Sequence, residues 1–204
     1  MEIIYTPERA HGLGAQAICP LGLLSRSPIG PDGLNVDSRI SVDTAGYLHE
    51  TGVRLIPSGN DRAGYPKAAQ NFWRSEYPAI NPIDYGDVDG NGLTTRDSAN
   101  SLPALLGELG VGAAIIITAG YHVPRVQRAF DGDERIVGIV VAEDVLSHRS
   151  YKDLQSMDAF RISLGYRRQK LIEGGVNMMP WLEPFASSLV RRLRRLTLER
   201  NTQS

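Results

Sequence analysis

Two runs without a polar interruption, Ala113-Ala114-Ile115-Ile116-Ile117-Thr118 and Ile136-Val137-Gly138-Ile139-Val140-Val141, constrain this chain more than anything else in it. A strand that is apolar on both faces must be covered on both. That is the situation of a parallel sheet between two helical layers, not of a half-solvated antiparallel sheet. Ala15–Leu21 and Val53-Arg54-Leu55-Ile56-Pro57-Ser58 read as two earlier strands, and Ile80–Tyr85 as a weaker one between them and the apolar pair. Helical spacing fills the intervals. Ile40, Ala45, Leu48 and His49 give a helical spacing closed by Gly52, and Ala68–Trp73 carries the next helix. Ser98–Leu109 places Leu102, Leu105, Leu106 and Leu109 on one stripe ahead of Gly110, and Pro124–Phe130 follows the strongest strand after a very short turn. The alternation predicts an α/β protein: a three-layer, Rossmann-like, mostly parallel doubly wound sheet of about five strands.

Gly22–Gly33, rich in Ser, Pro and Gly, reads as a loop. After Ser150 the pattern turns helical, with Leu154–Ile172, a break at Gly174-Gly175, and Trp181–Leu198. The expected organisation is an α/β domain over 1–150 and a helical extension over 151–204, packed on or beside it. Charge divides the same way. The chain carries 22 Lys plus Arg against 23 Asp plus Glu, yet residues 1–150 are net acidic by six and 151–204 net basic by five. A net charge of −1 excludes a generic polycation built to neutralise nucleic-acid phosphates, so no nucleic-acid partner is expected. The basic amphipathic stretch Arg191-Arg192-Leu193-Arg194-Arg195-Leu196 suits a solvated helix face, with contact to an acidic partner or anionic surface as the sharper option.

Cys19 is the single cysteine, so no intrachain disulfide can form. Glu2, Pro7 and Glu8 interrupt any signal-like start. The longest apolar run, Val111–Thr118, falls far short of the ~20 residues of a membrane helix. These features predict a cytoplasmic protein with no transmembrane segment.

In an open α/β sheet, ligands bind beyond the carboxyl ends of the strands, so the strand-to-helix loops carry the candidates. Ser58-Gly59-Asn60 follows the second strand. Its small residues would let backbone approach a ligand, and the next helix would offer N–H groups to an anion. Thr118-Ala119-Gly120-Tyr121-His122-Val123-Pro124-Arg125 follows the strongest strand. His122 can exchange a proton near neutral pH and Arg125 can grip a phosphate or carboxylate with two N–H groups. Thr94-Thr95-Arg96-Asp97-Ser98-Ala99-Asn100 offers Thr95 to a phosphate oxygen and Asp97 as a base or as the group that orients His122, unless it is only a helix cap. In Asp37-Ser38-Arg39 the candidate is Arg39, against a solvated helix-start charge.

Asp87-Val88-Asp89-Gly90-Asn91-Gly92 matches the first half of a calcium loop, but Ser98 stands where the twelfth, bidentate ligand belongs. An Asp/Gly-rich turn is the expected reading there. His49 and His148 lack Cys or spaced His partners, so no metal site is expected. His11-Gly12-Leu13-Gly14 precedes a strand instead of following one, and is no dinucleotide fingerprint. Cys19, inside an apolar strand, reads as a small buried residue.

At these loops the chain resembles the YdcF/SanA/ElyC-like family, domain of unknown function 218, over about residues 15–142. The corresponding residues are Leu21-Gly22, Arg39, Ser58-Gly59-Asn60, Lys67-Ala68, Thr95-Arg96-Asp97-Ser98-Ala99 and the stretch from Thr118 through Tyr121-His122 to Arg125. Order and spacing are kept, and His-x-x-Arg after an apolar strand is the most specific part. Three positions depart from the family pattern: Lys67 stands for a Glu, Asp97 for a longer Glu, and Ser98 for an Asn. The charge reversal at Lys67 implies different ligand contacts there. The resemblance implies a Rossmann-like sheet with a polar pocket at the strand ends, lined by Arg39, Ser58, Gly59, Asn60, Lys67, Thr95, Ser98, Thr118 and Tyr121. It also implies a nucleotide-type ligand, with S-adenosylmethionine a candidate, and a soluble branch of a family tied in part to the cell envelope.

Two functions follow as expectations. The first is a hydrolase or transferase acting on a phosphorylated or nucleotide-like metabolite, with His122 as acid or base assisted by Asp97 and Arg125. The second is a non-catalytic ligand-binding or regulatory protein.

Overall fold

The computed structural model describes residues 1–22, 30–59, 64–92, 94–163, 166–171 and 174. The expected helix Trp181–Leu198, its basic stretch, and Asn60 lie outside these. Five strands, β1 (Glu2–Ile4), β2 (Ala17–Pro20), β3 (Arg54–Leu55), β4 (Ala114–Thr118) and β5 (Ile136–Val141), form one sheet in the order β1-β5-β4-β2-β3. Every pairing is parallel. The fold class is therefore the expected one, with two corrections. Ile80–Tyr85 is no strand: Asn81 accepts the Ile83 N–H and Pro82–Tyr85 winds into a 3-10 turn. The sheet instead gains β1 at its far edge, three residues too short to show a period.

The helices are α1 (Pro7–His11), α2 (Val36–Leu48), α3 (Tyr65–Glu76), α4 (Thr95–Glu108), α5 (Val123–Ala129), α6 (Ala142–Ser147) and α7 (Tyr151–Ile162). They fall into two layers because neighbours along each strand point to opposite faces. Ile115 and Ile117 of β4 join Val42, Ala45, Phe72, Trp73, Val145 and Leu146 in the core under α2, α3 and α6. Ala114 and Ile116 join Leu102, Leu106, Val123 and Val126 under α4 and α5. Cys19 is fully buried in this second core, and desolvation pushes its thiol pKa up.

The expected helix Leu154–Ile172 is broken. α7 ends at Ile162, the backbone of Ser163 is extended, and Tyr166 is again helical. Its amino end is tied down by Arg149, which donates to Asp43 of α2 and to Asp153 of α7. Met157 is buried in the first core. Among the described residues no helix is long and apolar enough to cross a membrane.

Candidate functional site

The strand order fixes where a ligand can sit. From β2 the chain moves outward to β3, then returns across β2 to lay down β4 on its other side. The carboxyl ends of β2 and β4 therefore diverge into helices of opposite layers, and the crevice between them is the topological switch point. The residues after β2, β3, β4 and β5 meet around it in several hydrogen-bonded groups.

The first begins where parallel bridges join Leu21 to Ser58 and Ser58 to Asp89. Gly22 N–H donates to the Ser58 carbonyl at 2.7 Å, and Gly59 N–H to the Asp89 carbonyl at 2.9 Å. The Ser58 hydroxyl donates to Asp89 Oδ2 at 2.6 Å and lies 2.9 Å from Ser98 Oγ. All three side chains are buried. A Cβ on Gly92 would stand 2.4 Å from Ser98 Oγ and 3.0 Å from Gly59 N, so only glycine lets the 87–92 segment close over this trio. Asp89, set aside above as part of a turn, is thus a buried member of the site. Asp87 instead turns outward to Arg54.

Ser98 lies one turn along α4 from Thr95, and Thr95 reaches the next loop. Thr95 Oγ1 is 2.8 Å from Nε2 of His122, with both side chains buried. A hydroxyl can donate or accept, so the bond can form with either ring tautomer. Asp97 is held differently: its carboxylate accepts from the Thr94 hydroxyl at 2.8 Å, and its own N–H donates to Thr94 Oγ1, which caps α4.

On the other side of the turn, Tyr121 OH donates to Asp37 Oδ1 at 3.0 Å in the first turn of α2, again with both groups buried. Of the Asp37-Ser38-Arg39 trio it is the acid that enters the site. Arg39 is exposed, stacked on Phe72 and 3.4 Å from Asp32. Lys67 is exposed on α3 and Arg125 half-buried at the start of α5. Thr118 closes β4, its Oγ1 buried with no hydrogen-bond partner among the described residues.

Two residues escaped the sequence reading. Tyr65, at the start of α3, lays its ring over Gly22 and Gly59 and donates its hydroxyl to the Pro20 carbonyl at 3.1 Å. The closeness that Gly59 permits is therefore used by an aromatic ring between the ends of β2 and β3. Glu143, in the first turn of α6, is 1% exposed. Its Oε1 accepts from Gly120 N–H at 2.9 Å and from Tyr166 OH at 2.8 Å. Its Oε2 has no hydrogen-bond partner among the described residues. An acid two residues beyond an apolar strand was visible in the sequence, but six-residue α6 is too short to announce a strand-to-helix loop there.

Burial raises the Glu143 pKa above the ordinary 4.5, against the lowering effect of its two donors. A carboxyl with a raised folded-state pKa binds a proton more tightly folded than unfolded, so its contribution is present at low pH and lost as pH rises through the folded value. Wild type should therefore carry a falling stability component above pH 4.5 that Glu143→Gln lacks, at most about 1.4 kcal/mol per pH unit. Urea unfolding at a series of pH values measures it. Parallel profiles for the two proteins would mean that the carboxyl is not desolvated as described.

Among the described residues no group of three or more His, Cys, Asp or Glu could hold a metal ion. Compared with protein-family models, curated proteins and solved structures, the chain finds no match.

Proposed function

We propose that this chain is a YdcF-like cytoplasmic protein that binds a phosphorylated or nucleotide-like metabolite in the crevice between β2 and β4, and that His122 moves a proton there. The observation that carries the reading is the Thr95–His122 contact. It unites two of the loops singled out in the sequence, with the His122 imidazole buried beside the crevice. Arg125, at the start of the helix that His122 precedes, would meet the anionic part of the ligand, while Arg39, stacked on Phe72 beside Asp32, stands at the outer start of α2. Hydrolysis or group transfer suits such a set. S-adenosylmethionine is one nucleotide-type candidate, and a substrate from cell-envelope metabolism is another.

A panel of S-adenosylmethionine, nucleotides, nucleotide sugars and sugar phosphates, scored by thermal shift and then by product formation, tests the reading on the full chain. With a hit in hand, His122→Ala should lower turnover by about 10²–10⁴, the usual contribution of a positioned acid or base. Circular dichroism should show the fold retained. Turnover equal to wild type would remove His122 from the chemistry.

One observation favours the non-catalytic alternative. The Ser58, Ser98 and Asp89 side chains satisfy one another, and Tyr65 covers Gly59, so this half of the crevice is already occupied by protein. Saturable binding without product would establish that reading.

A further inference from the structure

The 3-10 turn Gly120–His122 starts with a donor that its own chain does not satisfy, because the residue before it, Ala119, has no side chain to cap it. Glu143 reaches over from α6 to accept that N–H. The fit is exclusive: a Cβ on Gly120 would stand 2.8 Å from Glu143 Oε1, 3.2 Å from Val141 Cγ1 and 3.4 Å from Tyr166 OH. Burying a carboxylate is a costly way to meet one backbone N–H when a neutral acceptor would serve. What the carboxyl adds is a second role, since the same Oε1 that accepts the Gly120 N–H also accepts the Tyr166 hydroxyl. Its second donor comes from beyond α7: Tyr166, whose ring also packs edge-on against Tyr121 at 5.1 Å and Phe160 at 5.0 Å.

We propose that Glu143 is the positioning residue for His122: its grip on Gly120 sets the turn that delivers the imidazole to Thr95, and Tyr166 links the segment after α7 to that grip. The inference rests on His122 being the working group of the crevice. Among the described residues the charged and titratable groups nearest the carboxyl are Asp144, which is adjacent, Arg161 of α7, which bonds both Asp144 and the Glu143 carbonyl, and Tyr166, which donates to it; Asp37 of α2 is one step further out, holding the Tyr121 that packs on Tyr166. The side chain itself accepts from the Tyr166 hydroxyl and the Gly120 N–H.

The test is solution NMR on the full chain without ligand, following the Gly120 amide and the His122 ring across the pH range where histidine titrates. Glu143→Ala should move the Gly120 amide upfield and displace both the His122 ring resonance and its titration midpoint. Tyr166→Phe should do so in the same direction but less. Glu143→Gln keeps an acceptor oxygen in reach and should restore the two resonances while abolishing any drift they share with the carboxyl's titration. His122 signals in Glu143→Ala that superimpose on wild type would overturn the proposal and leave Glu143 as a plug for one N–H. If Glu143→Ala does not fold, unchanged His122 signals in Tyr166→Phe overturn it equally. Because no ligand enters the measurement, failure of the acid–base role would appear separately, as His122→Ala retaining full turnover.

Discussion

Trp73→Ala is expected to cost about 3–5 kcal/mol, the range for removing a fully buried indole. No atom of Trp73 reaches solvent, and its Nε1–H donates to the Val42 carbonyl at 2.8 Å. The ring faces Tyr85 at 6.0 Å, so one side chain joins α2, α3 and the 3-10 turn that replaces the expected strand. A chain of this size should lose about 2–4 °C of melting temperature per kcal/mol. Urea unfolding should show a lower midpoint with the slope unchanged, since the fold persists in weaker form. Trp73→Phe, which refills most of the volume, should recover much of the loss. A drop below about 1 kcal/mol for the alanine variant would mean that the site collapses around the gap or is not closed as described.

The second large effect is expected at Gly59. An alanine methyl there would lie 2.3 Å from Tyr65 Cδ1, and the ring cannot simply retreat, because Gly22 is packed against it and its hydroxyl is held at Pro20. Overpacking of this kind costs about 1–3 kcal/mol. The diagnostic result is in the pair. Tyr65→Ala removes the obstacle, so Gly59→Ala should be nearly silent in that background, giving a coupling energy of the same size as the single effect. Additive losses would show that Gly59 is needed for its backbone and not for the ring above it. The same double variant opens the β2–β3 half of the crevice, so tighter ligand binding there would mark Tyr65 as its occupant.

The sheet was legible in the sequence because its central strands are apolar on both faces, and β4 and β5 need no context to be recognised. β1 was not, because three residues carry no period and its place is set by pairing with distant β5. Ile80–Tyr85 misled for a related reason: Tyr85 packs on Trp73 and Ile80 joins the same core without any strand pairing, Ile83 is exposed, and Asn81-Pro82 ends any extended run. The site was legible as loops more than as roles. Thr95 and His122 were both in view, but their contact depends on how α4 and β4 are juxtaposed. Asp37 and Asp89 lay in stretches read for Arg39 and for a turn. In each case burial, which a sequence does not print, decides which neighbour enters the site.

The place of β1 has a consequence for how the molecule is made. Glu2, Ile3 and Ile4 are synthesised long before their pairing partners Gly138, Ile139 and Val140, which belong to the last strand of the sheet to be made. The strands β2, β3 and β4 find one another within the intervening stretch, so the centre of the sheet can assemble while the first strand waits. Pairings between residues so far apart form late and slowly. During synthesis β5 therefore presents an open edge until β1 docks to seal it, and that interval is when a nascent chain of this design is most exposed to edge-to-edge association with its neighbours.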